Sequence, residues 1–320
     1  MTTRAPDNRG FAFGVLLNAA FVIAEFVAGT LANSVALIAD AAHNLGDVAG
    51  LLLAWGAAVL ATRAPTERRT YGWRKSTILA ALANALLLIG ATGAFAWEAI
   101  GRLAAPAPAQ GTTMIVVAAI GVLVNGVAAW ILLRSGHAHH HASAHHDDHD
   151  HHHDHDHHDH HDHAQPDLNL RAAFQHMLAD AAVSLGVVGA GVVLLATGWA
   201  WVDPATSLAI AVVIVASTWS LLRESLALTL DAVPAHIRID AVREFLRGRP
   251  GVVGVHDLHV WALGSSEVAL TAHLVLERLA NPEFLVETEA TLHERFGIDH
   301  ATLQIEPCEQ PPCRHGEGCR

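Results

Sequence analysis

His43 and Asp47 stand four residues apart inside a long apolar segment, and His176 and Asp180 repeat that spacing in another. Ionisable side chains are costly at membrane depth, so each pair needs a task there. Residues i and i+4 of a helix share a face, one turn apart. Each helix would then present one imidazole and one carboxylate to a common point. Two such helices side by side offer two nitrogens and two oxygens, a donor set suited to tetrahedral Zn2+. The pairs lie about 130 residues apart, so the site would be built between helices and not by a local loop. A lone histidine in such a segment is usually an interhelical hydrogen bonder. Two matched pairs favour a metal site. Asp40 falls on the same stripe as His43 and Asp47. It reads as an acceptor for an imidazole N–H or as a carboxylate at the entrance, rather than as a ligand.

Six apolar stretches, near 11–32, 35–61, 76–100, 112–133, 170–198 and 203–222, are long enough to cross roughly 30 Å of hydrocarbon. The chain is 52% hydrophobic and only 16% charged, with mean hydropathy +0.32, which fits a polytopic membrane protein. The first stretch is not read as a cleaved signal peptide, because it lacks a small-residue cleavage site and further spans follow. Lys and Arg set the orientation. Arg4 and Arg9 precede the first span, the second connection carries Arg63, Arg68, Arg69, Arg74 and Lys75, and Arg134 and Arg171 bound the fourth. The first and fifth connections have neither residue type, and the third has only Arg102. Both termini are therefore expected in the cytoplasm, in a bacterial inner membrane. Asn18, Glu25, Asn84 and Asn125 read as interhelical hydrogen bonders, with Glu25 a second candidate for passing metal or protons.

Residues 137–163 hold 16 His and 7 Asp among 27 positions. Such a segment cannot build a core and is expected to be disordered. Imidazole with carboxylates reads as a cytoplasmic metal antenna or buffer. From about Asp231 the membrane pattern stops. Ile237–Leu246 reads as an amphipathic helix, Val252–Leu263 and Glu267–Leu276 as strands about a Gly264-Ser265-Ser266 turn, Pro282–Phe296 as a helix capped by Asn281, and Ala301–Glu306 as a strand. That order suits a small α+β domain. His256, His259, His273, His300 and Glu306 lie on or beside its strands. They are candidates for a regulatory metal, whereas His236 and His293 read as surface residues. Cys308, Cys313 and Cys319 close the chain. Cytoplasmic placement implies thiols and not disulfides. Without a CxxC they read either as a metal-capturing tail or as an unstructured end. The organisation is thus an N-terminal tail (1–10), a six-helix transmembrane domain (11–230) with its His/Asp loop (135–169), a cytoplasmic domain (231–307) and a Cys-containing tail (308–320).

Several of these features together resemble the zinc-transporting branch of the cation diffusion facilitator family. They are Ser34-x-Ala36-Leu37-x-x-Asp40-Ala41-x-His43-x3-Asp47, Tyr71-Gly72-Trp73-Arg74, His176-x3-Asp180, the His-rich loop and Val255-His256-Asp257-Leu258-His259-Val260-Trp261. The resemblance implies a six-span homodimer that exchanges cytoplasmic divalent metal for protons by alternating access. It also implies a cytoplasmic ferredoxin-like domain that often binds zinc. On this likeness His43, Asp47, His176 and Asp180 form the transport site, and a histidine at position 43 favours Zn2+ without excluding Cd2+, Co2+ or Ni2+.

No P-loop is present, so ATP hydrolysis is not expected, and without HExxH an intramembrane metalloenzyme is disfavoured. No organic cofactor or nucleic acid is implied; the partners are metal ions, protons and lipid. Expelling Zn2+ against an inside-negative potential costs roughly 4.6 kcal/mol per 100 mV, about half of which one incoming proton offsets. Metal needs deprotonated ligands, and an imidazole with a pKa of about 6.5 can serve both ions. The reading is a secondary transporter and not an enzyme, with Zn2+ as substrate and as regulatory ligand. The competing reading is a cytoplasm-facing metal buffer or sensor.

Overall fold

The computed structural model describes residues 8–138, 168–277 and 282–308; the side chains of 8–18, 128, 131–138, 168–176 and 282 lie outside that description. Six long helices come first: α1 (Asn8–Leu31), α2 (Val35–Ala61), α3 (Ser76–Ala104), α4 (Gly111–Ala138), α5 (Leu168–Thr197) and α6 (Val202–Thr229). In lipid each backbone N–H and C=O must be satisfied within the protein, which a helix does by itself. Among the described residues, α2, α3, α6 and the Met177–Thr197 stretch of α5 are long and apolar enough to cross a membrane, and Ala19–Leu31 and Gly111–Val127 are shorter apolar helices. The helices α3, α4 and α6 outrun the apolar stretches that announce them. Hydropathy marks where lipid ends, whereas backbone hydrogen bonding continues past it. Most of the His/Asp loop falls outside the described residues, as do Asn281, Cys313 and Cys319.

The chain divides into two compact units, Met1–Leu45 with Ala91–Ile214, and Gly46–Gly90 with Val215–Arg320. The first packs Leu37, Phe95, Met114, Ala118, Val187 and Ile214 into its core. Within it α4 and α5 meet backbone to backbone. A Cβ added at Gly111 would stand 3.0 Å from the Gly191 carbonyl oxygen and 2.8 Å from Leu195 Cγ. Small residues are what allow membrane helices this close. The short connections are tied together. The Asn33 carbonyl, in a turn at φ 54°, accepts from Arg102 Nη1 at 2.7 Å, and Gln110 N donates to the Ala32 carbonyl at 3.0 Å. At the start of α6, buried Asp203 accepts hydrogen bonds from Ser34 Oγ at 2.5 Å, Val35 N at 2.8 Å and Ala36 N at 3.2 Å. A distant carboxylate thus caps the first turn of α2, whose N–H groups have no partner within the helix. Trp199 and Trp201 stack with centroids 5.7 Å apart in the α5–α6 connection, the residue type found at membrane interfaces.

The second unit contains the αββαβ domain: α7 (Ile239–Arg247), β1 (Val252–Ala262), β2 (Val268–Leu276), α8 (Pro282–Phe296) and β3 (His300–Pro307). The sheet runs β1-β2-β3, with β1 antiparallel and β3 parallel to β2. Leu246, Leu270, Leu274, Leu292 and Ile298 fill the space between helices and sheet. The basic α2–α3 connection bonds to this domain. Arg74 pairs with Glu267 and donates from Nη1 to His300 Nε2 at 2.8 Å. Lys75 Nζ lies 2.6 Å from Asp231 Oδ1.

Candidate metal centres

His43 and Asp180 meet. His43 Nε2, on α2, lies 3.1 Å from Asp180 Oδ1, on α5, across 137 residues of sequence. Both side chains are nearly enclosed, at 13% and 10% exposure. Helix α2 runs unbroken through Asp47, so that carboxylate follows His43 by one turn on the same face. On α5 the same rule puts His176 one turn before Asp180; its side chain lies outside the description. Imidazole nitrogen and carboxylate oxygen are the zinc-binding atoms of these residue types. Asp40, fully buried, accepts from Ser184 Oγ on α5 at 2.8 Å. Glu25, also fully buried, accepts from Asn44 Nδ2 at 3.1 Å, an interhelical bond between α1 and α2.

A second cluster sits on the sheet. His256 and His273 are directly opposite on β1 and β2, and Glu306 on β3 is paired with Val275. Positions 273 and 275 share a face because side chains alternate along a strand. Three strands therefore bring the three side chains together. His256 Nε2 lies 3.0 Å from Glu306 Oε2, and His273 Nδ1 lies 2.9 Å from Glu306 Oε1. One donor atom from each falls within 4.8 Å of the others. Two imidazoles and one carboxylate form a donor set of the kind that binds Zn2+.

The other tail candidates are placed elsewhere. The β1–β2 register slips between His256 and His259, and Asp257 there adopts φ 50°. Such a bulge re-aims side chains. It sends His259 out to 64% exposure, 2.9 Å from Asp257 Oδ1, and His300 is engaged by Arg74. The His259 hydrogen bond holds the Asp257 carboxyl below its usual range, helped by the nearby His273 and His256 and opposed by desolvation. Asp203 and Asp257 were not singled out from sequence. Asp203-Pro204 does carry a helix-start signal, an acidic residue and a proline in a first turn, but that signal says nothing of α2.

Comparison with known proteins agrees with the architecture. The family described as "Cation efflux transmembrane domain" matches residues 12–228, and "Cation efflux protein, cytoplasmic domain" matches residues 234–308. Metal cation efflux system protein CzcD of Cupriavidus metallidurans is 35% identical over 308 residues, covering 95% of this chain and 89% of that relative. Zinc transporter ZitB of Escherichia coli is 35% identical over 312 residues, covering 96% and 90%. A Bacillus subtilis protein named "Cadmium, cobalt and zinc/H(+)-K(+) antiporter" is 28% identical over 289 residues, covering 89% and 85%. With both of its parts matched in order and at nearly full length, the chain belongs to the cation efflux, or cation diffusion facilitator, family of multi-pass membrane transporters.

Proposed function

We propose that this protein exports Zn2+ from the cytoplasm in exchange for protons, as an inner-membrane homodimer working by alternating access with both termini cytoplasmic. Cd2+, Co2+ and Ni2+ are further candidate substrates. The observation that carries the reading is the His43–Asp180 contact, an imidazole and a carboxylate from separate helices enclosed in an apolar bundle. Asp47 and His176 would complete the ligand set. The ligands take Zn2+ in their deprotonated form facing the cytoplasm, and protonation on the far side expels it. The relatives' names support the metal class: zinc for ZitB, and cadmium, cobalt and zinc with proton for the Bacillus protein. In proteoliposomes an imposed pH gradient is expected to drive Zn2+ across the membrane, with Cd2+, Co2+ and Ni2+ compared in parallel. Absence of gradient-driven movement of every one of these metals would overturn the reading.

The buffer reading has its own test. Deletion of 137–163 should leave efflux running at a weaker apparent affinity; complete loss would favour a buffer whose working part is the loop.

His256, His273 and Glu306 are proposed as a regulatory zinc site. In the full-length protein Glu306→Gln should weaken that site by at least about 10-fold, a loss of the order seen when groups supporting a metal site are removed. Equilibrium dialysis at limiting Zn2+ would show one ion fewer per chain. An unchanged ratio would remove Glu306 from the ligand set.

A further inference from the structure

Glu25 and Asp40 are both wholly buried, at 0% exposure. One oxygen of each is accounted for: Glu25 Oε2 accepts from Asn44, and Asp40 Oδ2 accepts from Ser184. The remaining oxygens, Glu25 Oε1 and Asp40 Oδ1, have no hydrogen-bond donor among the described residues, and Asp40 stands one helical turn before Asn44, the residue that bonds Glu25. Two carboxylates cannot both hold a charge side by side in an apolar bundle. Nor can two acceptors bond without a hydrogen between them. A single shared proton satisfies both conditions.

We propose that Glu25 and Asp40 form a proton-binding site, separate from the metal ligands, that empties and refills in each transport cycle. The proposal rests on the proton-exchange reading above. Asp40 precedes His43 on α2 by about 4.5 Å along the axis. Among the described residues, His43 on α2 and Asp180 on α5 act electrostatically on Asp40. Zn2+ arriving between those two brings two positive charges beside the pair. The carboxylate form is then favoured and the proton leaves for water. When the metal departs, the pair takes up a proton again. Asn44 and Ser184 hold the two carboxyl groups in register whichever of them carries it.

The test compares wild type, Glu25→Gln and His43→Ala in proteoliposomes with Zn2+ as the only metal. Glutamine keeps the shape and the Asn44 contact but cannot release a proton. Glu25→Gln should let Zn2+ equilibrate down its own gradient, with half-saturation within about 3-fold of wild type. It should also fall short of wild-type accumulation against that gradient when a pH gradient is applied, because only the metal ligands are then left to exchange protons. His43→Ala should lose both activities. Gradient-driven accumulation by Glu25→Gln at the wild-type level would overturn this proposal and leave the antiport reading standing. A wild type that ignores the pH gradient would overturn both. Should Glu25→Gln fail to fold, infrared difference spectra of wild type decide the matter. A protonated-carboxyl band that shifts in D2O and disappears on adding Zn2+ supports the pair, and a spectrum without it overturns the pair.

Discussion

Zn2+ efflux from proteoliposomes will fall at least about 100-fold in Asp180→Asn, as in His43→Ala, while the protein stays folded. The asparagine is the informative change. If His43 and Asp180 served only to bond α5 to α2, asparagine could still pair with the imidazole and transport would survive. If Asp180 is a ligand, the variant loses the charge that offsets part of the metal's own, and a neutral amide oxygen is a poor substitute. At 3.1 Å the pair is already in contact. Zn2+ would have to part them slightly to bind at ligand distances of about 2.0–2.2 Å. Retained efflux in both variants would sink the transport site. Circular dichroism and gel filtration in detergent distinguish lost transport from lost structure.

Asp203→Ala should destabilise the protein by about 3–5 kcal/mol, the cost of leaving three buried hydrogen-bond donors without their acceptor after partial relaxation. The carboxylate is 1% exposed and accepts from one hydroxyl and two backbone N–H groups. Alanine leaves all three donors unsatisfied, at about 1–3 kcal/mol each before relaxation. Asp203→Asn keeps one carbonyl oxygen and should cost roughly half as much. Ser34→Ala removes the hydroxyl that also caps Leu37 N at 3.1 Å and should cost about 1 kcal/mol. Thermal unfolding in detergent reads the series. A midpoint for Asp203→Ala equal to that of Ser34→Ala would contradict the capping role.

The features legible in the sequence were those that depend on short-range periodicity. A run such as Leu51-Leu52-Leu53-Ala54-Trp55 announces a membrane helix wherever it lands. The i, i+4 spacing puts His43 and Asp47 on one face without knowledge of the partner helix. Strand alternation located the cytoplasmic sheet for the same reason. Register was not legible. Five residues were candidates for the tail cluster, and which of them converge depends on the bulge at Asp257, a left-handed residue that no local propensity demands. With an unbroken ladder, His259 would not face Thr271 as it does. His300 is engaged by Arg74, 226 residues earlier, and Asp203 is linked to Val35 across 168 residues. Contacts of that span follow from tertiary packing alone. The bond between Glu25 on α1 and Asn44 on α2 likewise needs both helices in place.

The cap on α2 also has a consequence for the order of manufacture. Ribosomes add roughly 5–20 residues per second, so Asp203 follows Val35 by about 10–30 s. Throughout that interval the first turn of α2 has been made and its N–H groups have no carboxylate to meet. The nascent helix must be threaded into lipid, or held by the insertion machinery, with that end incomplete. Only when the sixth helix arrives can the second be finished. The helix bearing His43 and Asp47 is therefore among the first synthesised and among the last to be locked.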